Sequence, residues 1–103
     1  MSIFTKIDNI SIDDFHKLLP EHPNVIDVRF PEEYEAGHIP GAINVPYKTI
    51  KHFVPKGKTY IMCHSGVNSV KSAKKLTAKG YDVVNIVGGM IKWPYEVNKG
   101  KEA

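Results

Sequence analysis

Cysteine is nearly absent from this 103-residue chain: Cys63 is the single one. No intrachain disulfide can form, and no Cys-x-x-Cys pair exists for metal binding or dithiol redox chemistry. Arginine is as scarce, with Arg29 alone, so every other fixed side-chain cation is a lysine. Long apolar runs are missing too. Nothing approaches the ~20 residues of a membrane helix, and the opening MSIFTKIDNISIDDF carries charges and no apolar stretch long enough for a signal peptide. The resulting expectation is a soluble protein of a reducing, cytoplasmic compartment, with no membrane partner. Internal repeats and low-complexity tracts are also absent. The formal net charge is a mild +3, and the lysines are spread along the chain, with Lys71, Lys74 and Lys75 the main cluster. That distribution describes a solvated surface rather than a nucleic-acid stripe.

What is present is an ordinary globular balance, 42% apolar and 24% charged. The length suits one domain over residues 1–103, with the polar 99–103 segment read as a flexible tail. Short apolar runs alternate with helix-like segments, the pattern of an α/β fold with a parallel sheet and crossover helices. Strands are expected near Phe4–Ile10, Val25–Val28, Ala42–Val45, Thr59–Met62 and Val83–Val87, about five in all. Ser11 is a good N-cap, Asp13 and Asp14 suit a first helical turn, and Pro20 is expected to stop that helix. Pro31-Glu32-Glu33 opens a second helix, closed by Gly37. Ile50, Phe53 and Val54 mark a brief amphipathic helix. Ser69–Lys79 is the clearest helix, with Val70, Ala73 and Leu76 as its inner stripe and Gly80 as its cap. Gly88-Gly89 leads into a last helical segment, where Trp93 reads as core.

Cys63 falls between a strand and a helix, and ligands of open α/β sheets bind beyond the carboxyl ends of strands. The connection is Cys63-His64-Ser65-Gly66-Val67-Asn68-Ser69. Gly66 permits backbone angles closed to other residues. A tight loop of this kind can turn successive N–H groups inward as an anion nest, and the following helix adds its positive end. Both features favour a thiolate over a thiol. A lone cysteine is otherwise an inert, buried small hydrophobe; the strand, glycine loop and helix around it favour a nucleophile instead. Several neighbours have two readings. His64 is either a proton donor or nearby cation, or a solvated loop residue. Ser65 and Ser69 can donate to an anion, and Ser69 can instead cap the helix. Val67 offers an apolar contact and no chemistry. Asp27 and Arg29 lie at a strand end on the cysteine's side, where Arg29 either faces the site or pairs with Glu32 or Glu33.

These residues resemble the rhodanese superfamily over nearly the whole chain. Asp27-Val28-Arg29, then Glu33 to Val45 with Tyr34, three residues and His38-Ile39-Pro40-Gly41-Ala42, is similar to the family's first motif. Cys63 to Ser69 is similar to its Cys-x-x-Gly-x-Arg-Ser loop, and Gly88-Gly89-Met90-Ile91-Lys92-Trp93 to its closing Gly-Gly-x-x-x-Trp. The resemblance implies a small, about five-stranded parallel sheet with helices on both faces, and His38 as a residue that holds its loop. It implies a sulfurtransferase needing neither metal nor organic cofactor. Cys63 would take sulfane sulfur from a small sulfur anion such as thiosulfate, or from a persulfide donor. An external thiol or protein cysteine, or cyanide in an assay, would accept it. The loop from Cys63 to Asn68 has the family's sulfur-handling length; phosphatase relatives carry one more residue.

One position departs from the pattern. Asn68 stands where the family carries arginine, and asparagine brings hydrogen bonding without charge. Phosphatase chemistry becomes improbable and weak thiosulfate turnover is expected, unless Lys71 or His64 supplies the missing cation. The competing reading is a catalytically weak binding or regulatory module on the same shell.

Overall fold

The computed structural model describes residues 6–103. In chain order the elements are β1 (Asp8–Ile10), α1 (Ile12–His16), β2 (Asn24–Asp27), α2 (Pro31–Ala36), β3 (Ile43–Asn44), β4 (Thr59–Met62), α3 (Val67–Ala78) and β5 (Val83–Ile86), with 3-10 turns at Leu19–Glu21, Tyr47–His52 and Met90–Lys92. The five strands form one parallel sheet in the order β1-β5-β4-β2-β3. Only Asp8–Ile10 of the expected first strand is strand; Phe4 and Thr5 lie outside the described residues.

Alternation along the strands sorts side chains to two faces. Val25, Met62 and Ile86 point to one, where they meet Phe15, Tyr34, Ile39, Ala42 and Trp93. Ile26, Ile61 and Val83 point to the other, where α3 covers them with Ala73 and Leu76 and the Tyr47–His52 turn adds Ile50. Cys63 belongs to this second layer. Helices therefore cover both faces, and the residues after β2, β3 and β4 emerge together at one end of the sheet.

Local chemistry explains most element ends. The Ser11 side chain accepts from Asp14 N at 3.1 Å, the first-turn cap the sequence asks for. Helix α1 ends at His16, earlier than Pro20, which sits inside the Leu19–Glu21 turn. Proline tolerates the opening of a helical turn but not an interior. Pro31 opens α2, and Glu33 reaches back to accept from Phe30 N at 3.3 Å. The segment around Ile50 is a 3-10 turn rather than an amphipathic α-helix. At the end of α3, Gly80 N donates to Thr77 O at 2.9 Å and Tyr81 N to Leu76 O at 3.1 Å, a Schellman closure. The inner stripe of α3 is Ser69, Ser72, Ala73 and Leu76; Val70 is only half-buried. The 99–103 segment, expected to be flexible, hydrogen-bonds back to the body: Gly100 N donates to Glu35 O at 2.8 Å, and His38 Nε2 lies 2.7 Å from Glu102 O.

Candidate active site

Strand β4 delivers Cys63 to the carboxyl end of the sheet, and α3 begins four residues later. The thiol is 3% exposed. It shares a buried apolar cluster with Ile26, Val28, Ile61 and Ala73, so one side of it is apolar. Its front is polar. Gly66 N donates to Sγ at 2.9 Å, the thiol donates to Ser69 Oγ at 3.2 Å, and the Ser69 hydroxyl donates onward to Gly66 O at 3.3 Å. Gly66 achieves this at φ +99°, the left-handed region where a Cβ is strained. The first amides of α3 have no intrahelical acceptor, and the helix places its positive end at the loop.

A second backbone segment braces the loop from outside. Met90 N donates to Cys63 O at 2.8 Å and Ile91 N to His64 O at 3.1 Å. The fit is close: a Cβ on Gly89 would stand 2.3 Å from His64 O. Gly89 therefore lets the two backbones touch.

Cys63 forms the base of a pocket of about 400 Å³. His64, Ser65, Val67 and Asn68 of the loop line one side, and Arg29, Phe30, Glu33, Pro46, Tyr47 and Lys48 line the others. A larger groove of about 810 Å³ opens near Asn24 and Thr59, the amino ends of β2 and β4. It holds no cysteine, so the smaller pocket is the one with a nucleophile.

The Rhodanese-like domain family model matches residues 11–95. The chain belongs to the rhodanese-like domain family. It is similar to a rhodanese-like domain protein of Staphylococcus aureus, with 35% identity, a TM-score of 0.80, and coverage of 90% of this chain and 98% of that one. Among curated proteins, YrkF of Bacillus subtilis, named as a sulfur carrier, is 35% identical over 86% of this chain and 52% of its own length. Thiosulfate sulfurtransferase 16, chloroplastic, of Arabidopsis thaliana is 33% identical over 82% of this chain and 85% of its own. The chain thus spans about half of YrkF, and 21% of a yeast adenylyltransferase and sulfurtransferase it also matches at 34% identity. Named as sulfur carriers and sulfurtransferases, these relatives place this rhodanese-like domain in a sulfurtransferase family.

Within the domain, the sequence-expected residues separate into three groups. Ser65, His64, Val67 and Asn68 line the pocket and are exposed, while Gly66 and Ser69 hold the sulfur from the loop interior. Ser69 is fully buried at the third position of α3; Gly66, not Ser69, occupies the N-cap. Asp27 and Arg29 form the second group. Arg29 pairs with neither Glu32 nor Glu33. Its Nε and Nη2 bind both Asp27 oxygens at 2.7–3.0 Å, and Nη2 also donates to Gly37 O at 2.7 Å. Two residues apart on an extended chain, their side chains leave on the same side. Glu33 instead lies 3.8 Å from His64 Nδ1. His38 and Lys71 lie outside the pocket. His38 is fully buried, stacked on Tyr34 at 3.7 Å with Nδ1 2.7 Å from Tyr34 O, and Lys71 is exposed on α3.

The residues that sequence reasoning missed are Phe30, Glu33, Pro46, Tyr47 and Lys48. A signal for them existed. Phe30 follows β2 and Pro46–Lys48 follow β3, and in a parallel sheet all such residues gather at the carboxyl end. Described helices include none long and apolar enough to cross a membrane.

Proposed function

We propose that this domain moves sulfane sulfur from a donor to an external thiol through a persulfide on Cys63. In the first step the thiolate attacks the outer sulfur of thiosulfate or of a persulfide donor. With thiosulfate, a Cys63 Sγ–S bond forms, the donor S–S bond breaks, and its electron pair leaves with sulfite. In the second step a thiolate or cyanide takes the outer sulfur, and the electron pair of the breaking bond returns to Cys63. Neither step needs an outside oxidant.

The observation that carries this reading is the polar front of the sulfur: the Gly66 N–H donates to it at 2.9 Å, and the Ser69 hydroxyl, which accepts from the thiol at 3.2 Å, can turn its proton to a thiolate. Hydrogen-bond donors aimed at sulfur stabilise an anion there, on thiolate and persulfide alike. The 103 residues hold no second cysteine, so the acceptor comes from outside them. A pocket of about 400 Å³ with Phe30 and Val67 exposed at its rim, 64% and 59%, admits an organic or protein-borne thiol.

Intact-mass analysis tests the proposal. Incubation with thiosulfate or a polysulfide is expected to add one sulfur, removable by cyanide and absent in Cys63→Ala. A protein that gains no sulfur from either donor is the binding module instead, for which the uncharged Asn68 is the favouring observation.

A further inference from the structure

The uncharged loop leaves open how the pocket tolerates an anionic donor. A thiolate meeting thiosulfate brings three negative charges together, and nearby positive charge offsets that repulsion more strongly than neutral donors do. Three residues lining the pocket can carry positive charge: Arg29, Lys48 and His64. Arg29 is already neutralised, bound through Nε and Nη2 to both oxygens of Asp27, and the pair is almost wholly shielded from solvent. His64 faces the Glu33 carboxylate at 3.8 Å. Lys48 is exposed and, among the described residues, has no carboxylate within ion-pair distance. The lysine cluster on α3 contributes nothing to the lining.

The segment that carries Lys48 is well fixed. Tyr47 N donates to Val28 O at 2.9 Å, Thr49 N to Pro46 O at 2.8 Å, and the Lys75 ammonium sits 4.7 Å over the Tyr47 ring. The turn is thereby tied to β2 on one side and α3 on the other, with its lysine at the pocket mouth.

We propose that Lys48 is the anion subsite of this pocket, receiving the oxyanion end of a sulfur donor such as thiosulfate while its outer sulfur meets Cys63. The assignment rests on the sulfur-transfer reading above. It places the cation that the family pattern carries in the loop on a different element, after β3. A compact ammonium on a flexible stem suits a sulfonate that must also depart as sulfite.

The test uses the full chain with Lys48→Met and Lys48→Arg. One readout is alkylation of Cys63 by iodoacetate, which is anionic, relative to iodoacetamide, which is neutral and serves as the internal reference. The other is the initial rate of sulfur loading from thiosulfate, read by intact mass. Lys48→Met is expected to lower the iodoacetate-to-iodoacetamide ratio about fivefold and thiosulfate loading about tenfold. Lys48→Arg restores both, and about 0.5 M salt erases both differences. An unchanged ratio overturns the subsite, as does a lowered ratio with unchanged thiosulfate loading. Wild-type protein that shows the charge effect yet gains no sulfur from thiosulfate or polysulfide refutes the transfer reading, and the donor assignment with it.

Discussion

Substituting Gly89 by alanine perturbs the cysteine loop from a residue that does not itself line the pocket. The added methyl would lie 2.3 Å from His64 O, 2.6 Å from His64 C and 2.7 Å from Ser65 N, where ordinary contact begins near 3.4 Å. All three are backbone atoms, so no side chain can swing away. The loop or the 88–93 segment must shift by about 1 Å. Two costs add. A non-glycine residue at φ +76° and ψ 177° loses ~1–3 kcal/mol, and forced overpacking ~1–3 kcal/mol more. The sum corresponds to a fall in unfolding midpoint of about 10–30 °C for a domain of this size. A shift of that length in the loop that aims Gly66 N at Sγ also lowers the sulfur-loading rate about a hundredfold. Gly57→Ala is the matched control. It also has a positive φ, +82°, and open space around the new methyl, so backbone strain of ~1–2 kcal/mol is what it incurs. Thermal unfolding and initial-rate mass spectrometry on both variants decide the matter. If the two lose equal stability and both load sulfur at the wild-type rate, the bracing of the loop by Gly89 is refuted.

Other perturbations have definite outcomes. Asp27→Asn leaves the Arg29 guanidinium buried without its anion and costs about 3–5 kcal/mol in denaturant unfolding; a cost below 1 kcal/mol contradicts the ion-pair account. Asn68→Arg supplies a forked cation at the loop and raises thiosulfate loading about tenfold, and a loss of rate removes the charge argument. Ser69→Ala deletes the hydroxyl 3.2 Å from Sγ, slowing loading about tenfold for ~1–2 kcal/mol of stability; loading at the wild-type rate would show that the hydroxyl does not serve the anion. Burial, and secondarily the Asp27 carboxylate, pushes the Tyr34 phenol above its ordinary value. The unfolded chain releases that proton near pH ~10 and the folded chain only higher, so folding stability falls as pH rises above about 10. Tyr34→Phe should lose less stability than wild type between about pH 9 and 11 in urea titrations, and parallel curves would exclude the effect.

The sheet was largely legible because its strands advertise themselves. Thr59–Met62 is a β-favouring run bounded by Lys58 and Cys63, and the strand has those limits. The start of α3 was read two residues late because Ser69 is a standard cap residue. The helix instead grows from Gly66, whose left-handed backbone no propensity scale reads as a helix start, and Ser69 turns inward to the sulfur. The partner of Arg29 was misread for a similar reason. Glu32 and Glu33 are the acids that follow Arg29 in sequence, whereas the chain at Asp27 is still extended and its i, i+2 geometry decides the pairing. Lys71 and Lys48 are equally plain in the sequence. Which of them lines the pocket depends on how the turn after β3 lies against α3, a tertiary relation that no local pattern encodes.

The position of β1 carries a consequence for how the chain is made. Among the described residues this strand pairs with β5 alone, its partners some 76 positions away in sequence. At a synthesis rate of about 5–20 residues per second, β1 waits roughly 4–15 s for its only neighbour to exist. Until then the nascent sheet lacks its far edge, and the 88–93 backbone that braces the cysteine loop has yet to be polymerised. A ribosome stalled before residue 83 would therefore display a thiol whose loop lacks its backbone brace. Closure of the sheet and completion of the nucleophile's surroundings are one late event, timed by translation itself.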